Sequence, residues 1–249
     1  MKKIAVVMFL LLLGGITAVP CEAKVHRGKT KDGVTYQYNT KTKTLTMSGK
    51  RIKGSYPENY SIKTHGYVKD KPWQKWSWKA RKIVLKEGVE SVTDSAFTDF
   101  ERVKKIVFPK TIKKIGNQAF IDTGIKKLEL PDSVIEIGRG AFERQMVSKG
   151  IKKIRLPKKL RNIGTAAFAR NDFTSITIPQ DVEFIGARAF DECSELKTVY
   201  IKSKKIKKIG KDIFRNIFDG VTVYVPKSKV KRYRKMFSRS MYANVKAMK

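Results

Sequence analysis

Three-residue segments with apolar outer positions and a variable middle recur along the chain. They are Ile83-Val-Leu85, Ile106-Val-Phe108, Leu128-Glu-Leu130, Ile154-Arg-Leu156, Ile176-Thr-Ile178, Val199-Tyr-Ile201 and Val223-Tyr-Val225, and their starts lie 22 to 26 residues apart. Alternation of this kind predicts short half-buried strands whose outer residues face a core and whose middle residue faces away. Proline follows at 109, 131, 157, 179 and 226 and ends the strand, because it has no N–H to give a ladder. A second apolar pair comes next, three residues apart: Ile112/Ile115, Val134/Ile137, Leu160/Ile163, Val182/Ile185 and Ile206/Ile209. Each pair is followed by a glycine, at 116, 138, 164, 186 and 210, where the residue suits either a positive φ or close backbone approach. Ala-Phe closes the phrase at Ala96-Phe97, Ala119-Phe120, Ala141-Phe142, Ala167-Phe168 and Ala189-Phe190, with Ile213-Phe214 as a variant. The alanine permits close stacking of neighbouring coils, and the phenylalanine fills the interior.

A period in the low twenties is the mark of stacked supersecondary units, each burying its apolar face against the next. The period varies because the step after phenylalanine varies, most at Phe142 to Ile151, where Arg144 to Gly150 form an insertion. These residues resemble the BspA-like, treponemal-type leucine-rich repeat family of bacterial surface proteins over about residues 82–226. The fold expected is therefore a repeat solenoid: a leucine-rich-repeat-like right-handed coil with short parallel strands on one face, an N-terminal β-hairpin cap and a C-terminal helical cap. The chain departs from the common leucine-rich consensus in lacking an asparagine ladder, and its first unit has Val92-Thr93 where later units have Ile-Gly. The resemblance implies a non-enzymatic role in adhesion, host-matrix binding or interaction at the cell surface.

Four segments are expected. Residues 1–23 read as a secretory signal, with Lys2-Lys3, an apolar run from Ile4 to Leu13 and an exit at Cys21-Glu22-Ala23, which places cleavage after Ala23. Residues 24–80 read as an N-terminal cap: a β-hairpin from Val34–Tyr38 and Thr44–Met47, a loop from Ser55 to Asp70, and Pro72-Trp-Gln-Lys-Trp-Ser-Trp78. The three tryptophans are read as sealing the cap against the first coil; the alternative is a platform on which sugars stack. Residues 81–226 are the repeat array. Residues 227–249 read as a basic cap helix and tail, with Ser228 as N-cap and Val230, Tyr233, Met236 and Phe237 at helical spacing.

The net charge of +33 over 249 residues favours anionic partners and anionic surfaces. Residues recurring in phase become ladders about one strand spacing, ~4.8 Å, apart. The candidate ligand-binding residues are Lys105, Lys127 and Lys153 just before the strands, joined by Lys104, Lys126 and Lys152, with Arg155, Tyr200 and Tyr224 at mid-strand. Partners expected for such a surface are a host or cell-surface protein, or an anionic glycan or envelope polymer such as teichoic acid; nucleic acid fits poorly with export. The localisation expected is secreted or extracellular, either soluble or held to the surface non-covalently. No catalytic, metal or cofactor site is expected: the histidines are His26 and His65, and no HExxH, CxxC, GxSxG or phosphate-loop spacing occurs. Cys193, in repeat phase between Phe190 and Leu196, reads as a packing thiol.

Overall fold

The computed structural model describes residues 23–54, 71–145, 150–238, 240 and 242–248. The expected signal, the loop over 55–70, His65 and the centre of the insertion lie outside them.

The chain is a solenoid whose coils each carry a longer strand, a two-residue strand and a turn section. The longer strands form three consecutive sheets. The first joins Val25–Lys29, Thr35–Asn39, Thr44–Ser48, Lys82–Leu85 and Lys105–Val107; the second pairs Lys127–Glu129 with Lys153–Arg155; the third joins Ser175–Ile178, Thr198–Ile201, Val221–Val225 and Ala243–Ala247. The two-residue strands form one continuous parallel sheet from Arg51–Ile52, through Ser91–Val92, Lys114–Ile115, Glu136–Ile137, Asn162–Ile163 and Phe184–Ile185, to Lys208–Ile209. Between the two strands of a coil, the carbonyls of Pro109, Pro131, Pro157 and Pro179 accept from the N–H three residues on, so each proline ends its strand in a tight turn.

The phenylalanines of successive coils stack almost parallel. Phe97, Phe120, Phe142, Phe168, Phe190 and Phe214 follow one another at centroid separations of 5.2, 5.5, 5.8, 6.0 and 6.1 Å, and Phe237 of the C-terminal cap continues the series at 5.9 Å from Phe214. All are buried. The glycine column has one of the two roles the sequence left open. A Cβ at Gly116 would come 2.6 Å from Asp94 Oδ1, and one at Gly138 would come 2.6 Å from the Gly116 carbonyl carbon, so close approach of the neighbouring coil excludes any side chain. Positive φ falls instead on the residues flanking Ala-Phe, among them Ser95 and Asp99, Ala166 and Arg170, and Arg188 and Glu192. That backbone directs alternate N–H groups to the next coil: Phe97 N–H bonds to Ala119 O at 2.8 Å and Asp99 N–H to Ile121 O at 3.1 Å.

The N-terminal cap imitates a coil. Its first three strands are antiparallel, but Thr44–Ser48 then pairs in parallel with Lys82–Leu85, Leu45 opposite Ile83, and Leu45, Met47 and Ile52 are fully buried. Trp73 Nε1 donates to Ala96 O at 2.9 Å and Gln74 Nε2 to Thr98 O at 2.9 Å. In the following coil the equivalent carbonyls, Ala119 O and Ile121 O, accept backbone N–H groups from the coil before, so two side chains replace the missing coil. The other cap is a helix, Val230–Met236, which buries Tyr233 and lays Phe237 on the phenylalanine stack. Ser228 is not its N-cap: it lies within a 3-10 turn, Lys227–Lys229, and Lys229 occupies the cap position without a side-chain bond. The tail expected after the helix is a strand, Ala243–Ala247, in parallel register with Val221–Val225.

Candidate functional site

The strand edge carries two adjacent rows of cations. Backbone bonds fix the first: Arg81 N–H donates to Lys43 O at 2.8 Å, Lys104 N–H to Arg81 O at 2.8 Å, and Lys152 N–H to Lys126 O at 2.9 Å. Register fixes the second, with Lys82 opposite Lys105 and Lys127 opposite Lys153. Their side chains face outward because the next residues, Ile83, Ile106, Leu128 and Ile154, face the core. Of the sequence candidates, Lys127 and Lys153 thus pair in one sheet and Lys105 pairs with Lys82 in the sheet before it, with Lys104, Lys126 and Lys152 beside them. Arg81 and Lys82 extend both rows to the first coil, and Lys43 extends the first row into the cap. Their signal was present in the sequence, since Arg81-Lys82 precedes Ile83 as Lys104-Lys105 precedes Ile106.

Compensation is sparse on both rows. On the strand row Lys127 Nζ lies 2.9 Å from Glu129 Oε1, and in mid-strand Arg155 lies 3.1 Å from Asp132. Among the described residues Lys43, Arg81, Lys104 and Lys152 make no salt bridge. Partial burial, together with Arg144, Lys104 and Lys152 nearby, pushes the Lys126 ammonium below its ordinary range, with Asp172 acting the other way. Toward the C-terminal cap the strand row turns neutral, through Ser175, Thr198, Thr222 and Asn244 in register. There the mid-strand position carries Tyr200 and Tyr224, stacked at 5.3 Å and 13°, with Lys246 next in line.

A second charged column, at the turn after Ala-Phe, is organised differently. Arg144, itself buried, donates to Thr123 O and lies 4.0 Å from Asp122. Arg170 makes a two-point bond to Glu192 at 2.9 and 3.1 Å and lies 3.4 Å from Glu143. Arg215 bonds Asp191 at 2.7 and 3.1 Å. Burial raises the Glu143 carboxyl, with Arg170 pulling it down. The insertion is anchored beside this column: buried Asn171 accepts from Ile151 N–H at 2.7 Å and donates to Phe142 O at 2.9 Å and Phe168 O at 3.0 Å. Cys193 is fully buried, its thiol pushed up to about 12 by that burial while it donates to Phe168 O.

The three tryptophans divide. Trp73 and Trp76 are buried in the cap, and Tyr38 stacks on Trp76 at 4.9 Å, whereas Trp78 is 54% exposed.

A family model for the BspA type leucine rich repeat region matches in six copies, over residues 74–149 and 146–244. Among solved structures, the leucine rich repeat protein of T. pallidum is similar with a TM-score of 0.51 at 17% identity, covering 90% of this chain and 96% of its own. A leucine-rich repeat protein from Bacteroides ovatus ATCC 8483 is similar at 17% identity with a TM-score of 0.32, covering 91% and 75%. A leucine rich cell surface protein from Faecalibacterium prausnitzii A2-165 is similar at 15% identity with a TM-score of 0.22, covering 90% and 95%. Such identities speak to fold alone, and the first of the three supports it. No curated protein sequence matches. Among the described residues no helix is long and apolar enough to cross a membrane.

Proposed function

This chain belongs to the BspA-type leucine-rich repeat family, and on that premise we propose that it is an exported, non-enzymatic binding protein whose basic strand edge takes an extended anionic partner at a cell surface. The observation that supports this reading is the stacking of like charges in the double row: Lys82 on Lys105 and Lys127 on Lys153, with Lys43, Arg81, Lys104, Lys126 and Lys152 alongside. Like charges directly opposite on neighbouring strands repel and destabilise a sheet. A linear polymer bearing charge at regular intervals relieves that repulsion along its whole length, releasing counterions as it binds. Teichoic acid, sulfated glycans and anionic lipid headgroups share this chemistry.

A second reading places a protein partner on the tyrosine end, where Tyr200 and Tyr224 stack and Phe218, 82% exposed, meets Tyr242 edge-on. Aromatic side chains are enriched in protein interfaces. Titrating immobilised polyanions and matrix proteins at two salt concentrations separates the readings. Polyanion binding at the rows weakens steeply with salt and is lost in Lys127→Glu plus Lys153→Glu; binding that ignores salt and that double variant contradicts it and favours the tyrosine end.

A further inference from the structure

Beside the N-terminal cap the surface opens into a cleft of about 350 Å³ whose lining includes Trp78, Trp76, Tyr38, Lys43, Lys79 and Arg102. We infer that this cleft is a subsite for one acidic sugar unit, a uronate or a sulfated pyranose, at the head of the basic track. The inference extends the polyanion reading by naming the polymer class.

Two independent features meet there. The first is an aromatic surface. Trp73 and Trp76 are buried, as an indole in a cap normally is, but Trp78 is left 54% exposed at the cleft, with the Tyr38–Trp76 stack also lining it. Keeping so large an apolar ring in water forgoes a sizeable burial gain, and a flat ring of this kind matches the C–H face of a pyranose. The second is charge. Lys43, Lys79 and Arg102 line the cleft, and among the described residues its lining, which His26 and Thr40 complete, includes no carboxylate. Lys79 Nζ stands 4.5 Å over the Trp78 ring, so a cation is already fixed against the stacking surface. A sugar carrying a carboxylate or sulfate answers both features; a neutral sugar answers only the ring, and an inorganic polyanion only the charge.

The cleft is also continuous with the track. Lys43 lines it and heads the first row, its carbonyl accepting from Arg81 and Lys82. The volume sits at the lower end of the roughly 300–1,000 Å³ typical of small-molecule sites, which suits a single sugar unit. Single-stranded nucleic acid also combines rings with phosphate, but it binds along successive aromatic platforms, whereas beyond Trp78 the rows here carry cations.

The test uses the full chain with four probes: a heparin tetrasaccharide, polyphosphate, a neutral dextran oligomer and oligo-dT. The tetrasaccharide should shift the tryptophan emission of the wild type. Trp78→Ala should weaken tetrasaccharide binding about tenfold while leaving polyphosphate within about twofold, and Trp78→Phe should restore most of the loss. Equal weakening of both probes, no weakening of either, an unmoved emission, or stronger Trp78-dependent binding of oligo-dT or dextran overturns the subsite. Polyphosphate binding without any tetrasaccharide effect removes the subsite and leaves the track. Trp78-dependent tetrasaccharide binding without polyphosphate binding keeps the subsite and removes the track, and no anionic binding at low salt removes both.

Discussion

Two columns of charge climb the same coils of this solenoid and are built to opposite rules. At the turn after Ala-Phe, Arg144 is set on Asp122, Arg170 between Glu143 and Glu192, and Arg215 on Asp191. Along the strand edge, lysine is set on lysine, at Lys82–Lys105 and Lys127–Lys153. Both columns repeat at one coil spacing, so the fold itself does not force like charges together. Where arginine meets carboxylate, charge holds coils in place; where lysine meets lysine, the positive potential is largely left standing, and on the proposed function it is there for a partner. The comparison separates charge that is paired across coils from charge that is stacked like on like, and each of its sides can be tested.

The two columns share one support, and the largest expected effect comes from removing it. Phe168→Ala opens the phenylalanine stack between Phe142 and Phe190 and should cost about 3–5 kcal/mol, lowering the melting temperature sharply and with it every property of both columns. Thr177→Ala, on the exposed face of its strand, should leave the melting temperature nearly unchanged; equal effects would contradict the register. Next comes the paired column. Arg144→Ala leaves the Thr123 carbonyl short of a donor and takes the nearby cation from the buried Asp122 carboxylate, and should cost about 2–3 kcal/mol in denaturant midpoint, whereas Lys127→Glu on the other column should move stability by less than about 0.5 kcal/mol. Equal losses would erase the distinction between the columns.

A third test uses a lysine that the fold does bury. Lys71, at 4% exposure, donates to Ser95 O at 2.7 Å, and burial lowers its pKa to about 8, with Asp99 acting the other way. Above pH 8 the folded state has released this proton while the unfolded chain holds it to about 10.4, so stability should rise with pH in that window. The wild type should gain about 2 kcal/mol from pH 8 to pH 10 relative to Lys71→Met, read from denaturant midpoints. A difference that is flat or falls with pH would show that Lys71 is solvated like the ladder lysines.

Much of the scaffold was legible because repetition amplifies weak signals. One Ile-Val-Leu triplet says little, but seven in phase fix the strands, and six phenylalanines in phase fix the stack. The expected register places Ile83, Leu128, Ile176 and Val199 in the core and Thr177 and Tyr200 outside it, as found. What escaped were features that occur once. Val25–Lys29 and Ala243–Ala247 carry little alternation and exist as strands because a neighbouring strand offers them an edge. Thr44–Ile52 carries the strand triplet, Leu45-Thr-Met47, but neither the proline nor the Ala-Phe of the repeat phrase, yet enters both sheets as a coil. Positive φ at Ser95, Gln118 and Ala166 leaves no mark, since those residues are chosen for their surroundings and the next coil's hydrogen bonds hold the strained backbone.

The candidate site was legible in part for the same reason. The lysines before the earlier strands repeat and so were visible, while Lys43 precedes the single triplet Leu45-Thr-Met47 in a cap that lacks the rest of the phrase. Neither the Arg–carboxylate pairs nor the different fates of Trp73, Trp76 and Trp78 follow from spacing. The pairs join residues 22 to 27 apart in sequence, and exposure depends on how the cap turns.

The most direct test of the central claim is the salt dependence of polyphosphate binding, measured as the slope of the logarithm of the association constant against the logarithm of salt concentration. The account predicts a steep negative slope for the wild type, made shallower by Lys127→Glu plus Lys153→Glu and left unaltered by Glu192→Gln on the paired column. A flat slope, or one that the two strand-edge substitutions leave unchanged, would contradict it.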